Sequence, residues 1–406
     1  MTNSPEQSSP VNNGPLAGIR VLELGSLIAG PFASRMLGEF GAEVIKVETP
    51  GTGDPIRKWR VLHDGNSLWW AVQARNKKSI TLNLKAEEGL AVLRKLIESA
   101  DMLVENFRPG QLEKWGLSPE QLQALNPGLI VVRLSGYGQT GPYKDRPGFG
   151  AIAESIGGMR FLSGDTDRPP VRVGISIGDS LAGLHAVIGA LMALQHRHKT
   201  GKGQVVDVAL YESVFNMMES LLPEYDFAGV VRKRSGASLP GIVPSNTYTC
   251  GCGGFIVIGG NGDAIFKRLM IAIGRSDFAE NPDMASNDGR VRHTELIDDT
   301  IAQWCKERSI DEALEVLEKA DVPVSKIYSI EDIVHDPQFA ARGMIEEHAF
   351  GEDRTLKVPG IVPKLSDTPG QTRWLGPKLG EHNAQVLEGL GYSAEEIQRM
   401  VDDGVI

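Results

Sequence analysis

The stretch of sequence that decides the fold is residues 19–48, IRVLELGSLIAGPFASRMLGEFGAEVIKVE. Its first six residues are an apolar run rich in β-formers, and residues 43–48 are a second such run. Between the two runs, a glycine-bearing turn leads through Pro31, a good first helical residue, into apolar positions at helical spacing that stop at Gly41. A strand, a turn, a helix and a strand in this order form a βαβ unit, which predicts a parallel sheet.

The same alternation continues downstream. It predicts further strands at 79–84, 101–105, 129–135 and 205–209. It predicts helices at 32–40, 87–99, 119–125, 177–199 and 212–222. Repeated alternation of this kind favours a doubly wound α/β domain.

The pattern changes near residue 228, where the chain becomes basic, rich in glycine and irregular. A hairpin is predicted at 247–260, followed by helices at 266–273, 296–307, 379–390 and 394–401. We therefore expect four segments along the chain. They are a disordered tail at 1–14, a large α/β domain at 15–220, a smaller α+β domain at 228–327, and a C-terminal part at 330–406 that returns to the large domain.

Composition argues against several classes of protein. The 406 residues carry a net charge of -10, which leaves no electrostatic footprint for nucleic acid. The three cysteines are too few for a disulfide framework, and they fit a reducing compartment. No stretch of about 18 apolar residues is evident, so we expect no membrane span and a cytoplasmic location. Cys250 and Cys252 lack a second ligand pair, so we expect no metal site.

Three local features could bear chemistry, and each has a plain alternative. The turn at 25–30 could bind a phosphate through its backbone amides, or it could be an ordinary tight turn. The basic segments at 75–78 and 106–110, with Lys114, could hold phosphates or be solvated loops. Asp179 opens an apolar helix, where a carboxylate commonly caps the helix but could also act as a nucleophile.

Considered together, these segments resemble class III CoA transferases, the family of formyl-CoA transferase, carnitine CoA transferase and 2-methylacyl-CoA racemase. The similarity extends over residues 15–406 and rests on several ordered segments. Beyond the opening stretch these are NKKSITLNLK at 76–85, ADMLVENFRPG at 100–110, GDSLAGLHAVIGALMALQHRHKTGKGQVVDVALYES at 178–213, HDPQFAARGM at 335–344 and LGEHNAQVLEGLGYSAEEI at 379–397.

The resemblance implies a fold and a set of partners. It implies a Rossmann-like large domain built from both ends of the chain, a small middle domain, and an interlocked homodimer in which two chains pass through each other as linked rings. It implies CoA thioesters and free carboxylic acids as substrates, with no permanently bound cofactor.

The resemblance also implies a mechanism in which Asp179 is the catalytic nucleophile. Its carboxylate would attack the donor thioester, forming a mixed anhydride and then an aspartyl-CoA thioester. The same matching motifs also indicate which residues of this chain stand at the family's CoA-contact positions. They are Ile28, Ala29, Thr49, Leu82, Asn83, Leu84, Lys85, Asn106, Phe107, Arg108 and Lys114. Thr49 departs from the arginine that is common in formyl-CoA transferases, which affects the expected contact with the purine.

Two departures indicate which member of the family this chain is similar to. Racemases carry a His-Asp pair in the segment that corresponds to 147–150, and here Phe149 and Gly150 in that segment cannot shuttle a proton. The long glycine-rich loop of oxalate-using enzymes is replaced by a basic segment at 232–236 that continues to 240–244. Basic side chains there could hold a distal carboxylate, which favours succinyl-CoA and a dicarboxylic acid as substrates. The alternatives are a racemase-like isomerase, a formyl-CoA/oxalate-type transferase and a non-catalytic CoA-binding protein.

Overall fold

The computed structural model describes residues 14–351 and 354–406, so the tail expected at 1–14 lies outside the described residues except for Gly14. The chain divides into two compact units. The first unit runs to Met159 and continues through Val173–Leu222 and Gly343–Ile406. The second unit comprises Arg160–Arg172 and Pro223–Arg342.

A six-stranded sheet forms the centre of the first unit. Its strands are β1 (Arg20–Glu23), β2 (Glu43–Glu48), β3 (Lys77–Thr81), β4 (Met102–Glu105), β5 (Ile130–Ser135) and β6 (Val205–Ala209). Their spatial order is β3-β2-β1-β4-β5-β6, and every neighbouring pair is parallel. This is the strand order of a doubly wound Rossmann fold, so the predicted α/β class and the six predicted strands are confirmed.

Helices occupy the connections between these strands and the start of the second unit. They are α1 (Ala29–Glu39), α2 (Leu68–Gln73), α3 (Glu87–Glu98), α4 (Gln111–Lys114), α5 (Pro119–Leu125), α6 (Gly150–Ile156), α7 (Met159–Leu162), α8 (Ile177–Thr200), α9 (Leu210–Phe215) and α10 (Leu221–Ala228). A 3₁₀ turn at Pro55–Lys58 and a short hairpin of Leu62–His63 with Asn66–Ser67 lie between β2 and α2.

Each face of the parallel sheet carries its own apolar core. Successive strand residues point to opposite faces, so Val21 and Leu22 enter different cores. The core around Val21 includes side chains of α1 and α8, and the core around Leu22 includes side chains of α3 and of the C-terminal segment. This three-layer arrangement explains why the strands are apolar on both faces.

The second unit is built on a three-stranded antiparallel sheet. Its strands are β7 (Ser245–Thr249), β8 (Phe255–Gly259) and β9 (Val324–Lys326), with β8 in the centre. The predicted hairpin is confirmed by the β7–β8 pairing, in which Phe255 lies opposite Thr249. Its helices are α11 (Asp263–Ala272), α12 (Ser276–Ala279), α13 (Asn287–Arg292), α14 (Thr294–Lys306), α15 (Ile310–Lys319), α16 (Ile330–His335) and α17 (Pro337–Ala341), with a 3₁₀ turn at Pro282–Met284.

The last part of the chain belongs to the first unit. It contains the hairpin of β10 (Ile345–Ala349) and β11 (Thr355–Pro359), and the helices α18 (Asn383–Gly389) and α19 (Ala394–Asp402). Backbone hydrogen bonds join it to the sheet region, from the His382 amide to the Ser79 carbonyl and from the Asn83 amide to the Val405 carbonyl.

Three predicted helices differ from the observed ones in their boundaries. The helix expected at 212–222 is interrupted between α9 and α10, where Glu219 has a φ of 48°, outside the helical region. The helix expected at 379–390 begins only at Asn383, because Gly380 before it has a φ of 66°. The first helix starts at Ala29, two residues before the Pro31 expected to open it.

One helix among the described residues, α8, is long and apolar enough to cross a membrane by length and composition alone, a test that a core helix of a soluble protein also passes. The share of its most apolar 18-residue window that is buried inside the protein is 44%. Ala182, Ala186 and Ala190 belong to the core that also contains side chains of α1. The alanine face thus packs tightly against a neighbouring helix.

Candidate active site

A pocket of about 400 Å³ opens at the carboxyl ends of β1, β2, β3 and β4. It lies where the strand order reverses between β1 and β4, the place where open α/β sheets bind ligands. Its lining consists of Leu24, Gly25, Ser26, Lys46, Val47, Glu48, Thr49, Thr52, Gly53, Asp54, Pro55, Leu82, Asn83, Leu84, Lys85, Phe107 and Trp115.

The structure brings about half of the residues predicted to contact CoA into this pocket. Those in its lining are Thr49, Leu82, Asn83, Leu84, Lys85 and Phe107. Those outside the lining are Ile28 and Ala29 at the start of α1, Asn106 and Arg108 in the loop after β4, and Lys114 at the end of α4. Sequence reasoning missed the segment that follows β2, from Thr52 to Pro55, and also missed Trp115. Polar residues directly after a predicted strand are the signal that could have found that segment.

The turn between β1 and α1 is clamped from two sides. Asn106 accepts a hydrogen bond from the Ser26 amide at 2.8 Å and donates one to the Ser26 carbonyl at 2.8 Å. The Leu27 amide donates to the Asp54 carboxylate, and both N–O distances are 3.1 Å. The N-cap residue Ile28 makes no side-chain hydrogen bond to the first amides of α1. Backbone amides at such a helix start are suited to bind phosphate.

Ionic contacts also fix the loop after β4. The Phe107 amide donates to Glu105 at 2.7 Å, and the buried Arg133 donates to both Glu105 and Glu113 at 2.8 Å. Burial raises the pKa of Glu105, against the lowering effect of Arg133. The Phe107 and Trp115 rings meet edge to face, with centroids 5.1 Å apart and planes at 85°. These contacts give the pocket an aromatic wall with a fixed orientation.

Three buried charges lie beneath the turn. Glu23 accepts from Lys46 at 2.7 Å and from Lys77 at 2.7 Å, and Ser34 donates to the same carboxylate. Burial alone would raise the pKa of Glu23, but the two ammonium groups lower it to about 2. Burial lowers the pKa of Lys77 to about 8. Lys46 also donates to the Gly25 carbonyl at 2.7 Å, so this network supports the floor of the pocket.

A second ion pair anchors the segment that follows β2. Arg57 holds Glu48 through two hydrogen bonds of 2.7 Å, and its guanidinium lies 3.7 Å from the centroid of the Trp70 ring. The same carboxylate accepts from the Asp54 amide at 2.8 Å and from the Ser79 hydroxyl at 2.6 Å. Such fork-like pairs restrict geometry as well as charge, so they hold this segment against the strand ends.

Asp179 lies in the first turn of α8 and is partly exposed. Its carboxylate is packed against the start of α6, where a Cβ built on Gly150 would lie 2.1 Å from Oδ2 and 2.7 Å from Cγ. Gly150 is therefore a position at which a side chain and the observed carboxylate cannot coexist. The positive end of the α8 dipole favours a carboxylate at this place.

The basic segment in the second unit is largely occupied with internal contacts. Arg232 pairs with Glu224. Arg234 donates to the backbone carbonyls of Asp165 at 3.1 Å and Phe161 at 3.3 Å. Lys233 is exposed. Of the three basic residues considered for a distal carboxylate, the two arginines thus stabilise this segment, and Lys233 is the one that is exposed.

No group of three or more His, Cys, Asp or Glu residues within 14–351 and 354–406 could hold a metal ion. Cys250 is buried and Cys252 is exposed in the turn between β7 and β8, and Cys305 is buried.

Comparison with known proteins identifies the family. The family model described as CoA-transferase family III matches residues 16–383. The chain is 49% identical over 380 residues to succinyl-CoA–D-citramalate CoA-transferase of Chloroflexus aurantiacus, covering 93% of this chain and 94% of that protein. It is 42% identical over 394 residues to the alpha subunit of succinyl-CoA–L-malate CoA-transferase of the same species, covering 95% and 91%.

A crystal structure of a CAIB/BAIF family protein from Brucella suis superimposes with a TM-score of 0.81 at 34% identity, covering 93% of this chain and 100% of that one. The agreement in sequence extends over nearly the whole chain, and the agreement in fold includes the parallel sheet that carries the pocket. The chain belongs to CoA-transferase family III.

Proposed function

We propose that this protein moves CoA from succinyl-CoA to a dicarboxylic acid, with Asp179 as the nucleophile. The observation that carries the proposal is the carboxylate of Asp179 at the start of α8, packed against a residue without a side chain. The two relatives named above act, by their names, on succinyl-CoA with citramalate or malate, and both of these acceptors are dicarboxylic acids.

The pocket at the switch point supports binding of CoA through three kinds of contact. Backbone amides of the turn before α1 suit a phosphate, and the Lys85 ammonium lies in the lining to pair with one. The Phe107 ring, which packs at nearly a right angle to Trp115, would stack on the adenine base. Leu82 and Leu84 add apolar surface. Ile28, Ala29, Thr49, Asn83, Asn106, Arg108 and Lys114 complete the proposed CoA contacts.

The proposed reaction proceeds through covalent intermediates on Asp179. Its carboxylate oxygen attacks the thioester carbonyl of the donor, the carbon–sulfur bond breaks, and a mixed anhydride and a CoA thiolate result. The thiolate then attacks the aspartyl carbonyl, which releases the donor acid and leaves an aspartyl-CoA thioester. The acceptor carboxylate attacks this thioester in the same way, and the thiolate finally attacks the acceptor carbonyl. Asp179 is regenerated, and no proton is gained or lost overall.

The environment of Asp179 argues against the racemase-like alternative. Gly150 lies in the segment 147–150, where racemases carry a His-Asp pair, and any side chain at this position would place its Cβ 2.1 Å from the observed Asp179 carboxylate. A carbon and an oxygen that are not bonded stay more than 3 Å apart, so position 150 could not carry an acid beside Asp179 as it stands. The geometry thus supports one catalytic carboxylate that attacks, rather than a pair that exchanges a proton.

The proposal includes an interlocked homodimer. α8 exposes an apolar stripe of Leu184, Ile188 and Leu191, whose exposed fractions are 38%, 50% and 41%. The edge strand β6 adds Val205, which is 42% exposed. Apolar surface of this kind on a soluble enzyme favours contact with a second copy of the chain. The same proposal includes two domains, a large one at 15–220 and 330–406 and a small one at 228–327. It also includes a cytoplasmic location and the lack of a permanent cofactor.

A trapping experiment tests the nucleophile. The protein is incubated with succinyl-CoA, treated with hydroxylamine or borohydride, digested and mapped by mass spectrometry. We expect one modified residue, Asp179, and no modification of Asp179→Asn. Asp101→Asn is the matched control, because Asp101 lies before β4 at the opposite end of the strands and should leave trapping intact. A modified residue other than Asp179, or none in an active preparation, would contradict the mechanism.

The donor and acceptor need a separate assay. Purified protein is supplied with succinyl-CoA and a panel of mono- and dicarboxylic acids, and the acyl-CoA products are quantified by chromatography. We expect transfer to dicarboxylic acids to exceed transfer to monocarboxylic acids of equal length. A preference for oxalate with formyl-CoA would instead support the formyl-CoA-type alternative.

A further inference from the structure

We propose that Asp54 is a positioning residue that holds the turn between β1 and α1 in its ligand-binding shape, an inference that rests on the proposed function. Asp54 lies in the segment after β2, caps the following 3₁₀ turn and is only 3% exposed. It also lines the pocket at the carboxyl ends of the strands. Its place between the turn and the buried charges suggests a role beyond that of a cap.

The Asp54 carboxylate gathers three partners. Both of its oxygens lie 3.1 Å from the Leu27 amide nitrogen. Oδ2 lies 2.9 Å from the Lys46 ammonium, and Oδ1 accepts from the Ile56 amide at 3.0 Å. Its own amide donates to Glu48. These contacts fix the position of the carboxylate that accepts from the Leu27 amide. A hydrogen bond to a charged acceptor is also stronger than one between neutral groups.

Leu27 explains why the turn needs to be held. Its φ is 66°, in the left-handed region that a residue with a Cβ rarely adopts. A residue in this conformation persists only when the surroundings impose it. Without the bond to Asp54, Leu27 would relax toward negative φ. The peptide groups on either side of it would then rotate, and with them the amides that lead into α1.

Asn106 and Asp54 hold different parts of the turn. Asn106 holds the Ser26 peptide through both of its polar groups, whereas Asp54 holds the one residue with a left-handed backbone. Loss of Asp54 should therefore alter the shape of the turn even while Asn106 keeps it in place. A shape change at a phosphate-binding turn weakens ligand binding more than it slows the chemical steps at Asp179.

The alternative is that Asp54 serves only to neutralise Lys46. Lys46 also contacts Glu23 at 2.7 Å, so it would keep one counter-charge without Asp54. The two roles make different predictions for a glycine at position 27. Glycine adopts positive φ at little cost, so it removes the need for a clamp but does nothing for Lys46.

The test measures binding of CoA by calorimetry to five forms of the full-length protein. These are the wild type, Asp54→Asn, Leu27→Gly, the double variant, and Asp101→Asn. The last is the matched control, since Asp101 accepts the Arg20 amide at 2.7 Å and pairs with Arg197 at 2.9 Å, but precedes β4 at the far end of the sheet. Thermal unfolding of each form is recorded alongside, together with kcat and KM for succinyl-CoA.

We expect Asp54→Asn to weaken CoA binding about 10- to 100-fold, to raise KM similarly and to change kcat less than about threefold. Leu27→Gly should bind as the wild type does, and in the double variant the glycine should restore most of the lost affinity. Asp101→Asn should lose thermal stability without losing affinity. Unchanged affinity in Asp54→Asn, or no rescue by Leu27→Gly, would overturn the inference.

Two further outcomes are informative. If the wild type itself does not bind CoA, the proposed function fails and this inference fails with it. If Asp54→Asn does not fold, hydrogen exchange in the wild type decides the question. A protected Leu27 amide supports the clamp, and an amide that exchanges as fast as an unfolded chain refutes it.

Discussion

Substitution of Gly150 by alanine tests the proposed nucleophile without touching it. The added Cβ would lie 2.1 Å from Asp179 Oδ2 and 2.7 Å from Cγ, whereas ordinary contact needs about 3.4 Å. The φ of Gly150 is not positive, so alanine meets no backbone strain there. Alanine also favours a helix start more than glycine does, by up to about 1 kcal/mol. The only large effect of the substitution is thus to push the carboxylate away by more than 1 Å.

The magnitude follows from this displacement. A misplacement of about 1 Å in a reacting group can reduce a rate about 100-fold, which corresponds to roughly 2.7 kcal/mol at the transition state. The pocket at the strand ends is lined by other residues, so CoA binding should change little. We therefore expect Gly150→Ala to lower kcat about 100-fold, to keep KM for succinyl-CoA within about threefold, and to give little aspartyl-CoA thioester in trapping.

Gly157→Ala provides the matched control. Gly157 lies at the other end of the same helix, and its Cβ would meet Val214 Cγ1 at 2.7 Å, a comparable overlap with a core side chain. Overpacking of this kind should cost about 1–3 kcal/mol of stability, while the folded enzyme keeps its kcat. Steady-state kinetics and urea unfolding of both variants separate the two effects. A wild-type kcat in Gly150→Ala, or an equal loss of kcat in Gly157→Ala, would refute the reasoning.

Two further predictions concern stability and assembly. The pKa of Glu23 is lowered from 4.5 to about 2 in the folded protein, so its contribution to stability is complete above about pH 4.5 and is lost as the pH falls toward 2. Glu23→Gln should cost about 3–5 kcal/mol near neutral pH, and urea unfolding should show this difference shrinking in acid; a difference independent of pH would contradict the assignment. Ile188→Glu places a charge on the exposed stripe of α8 and should shift the protein toward monomer in analytical ultracentrifugation, whereas Glu120→Gln on exposed α5 should not. An unchanged mass in Ile188→Glu would exclude this stripe from the interface.

Much of the first unit could be predicted because its signals are local. The strands β1, β2, β4 and β5 are almost fully buried on both faces, so they appear in the sequence as largely apolar runs such as Val131 and its neighbours. Glycines with positive φ mark the ends of helices, as Gly201 does after α8. The break at Glu219 gave no such signal, because a glutamate in the left-handed region is imposed by tertiary packing rather than by its own preference.

The candidate site was less predictable than the sheet. Phe107 and Lys85 follow strands, so their position at the strand ends could be anticipated. The position of Asp54 after β2 could be anticipated too, but its hydrogen bond to the Leu27 amide could not, and neither could the contacts of Arg57 with Trp70 and of Trp115 with Phe107. Contacts of this kind have no periodicity that a single sequence can reveal.

Asp179 shows how local and tertiary information differ. In the sequence it is an acid at a helix start, and the helix dipole alone explains an acid at that place. A carboxylate that only caps a helix would gain nothing from a bare backbone beside it, because an alanine on α6 would bury more apolar surface. The absence of a side chain at Gly150 leaves the space that the Asp179 carboxylate itself occupies against the start of α6. The glycine, rather than the aspartate alone, thus favours the proposed catalytic role.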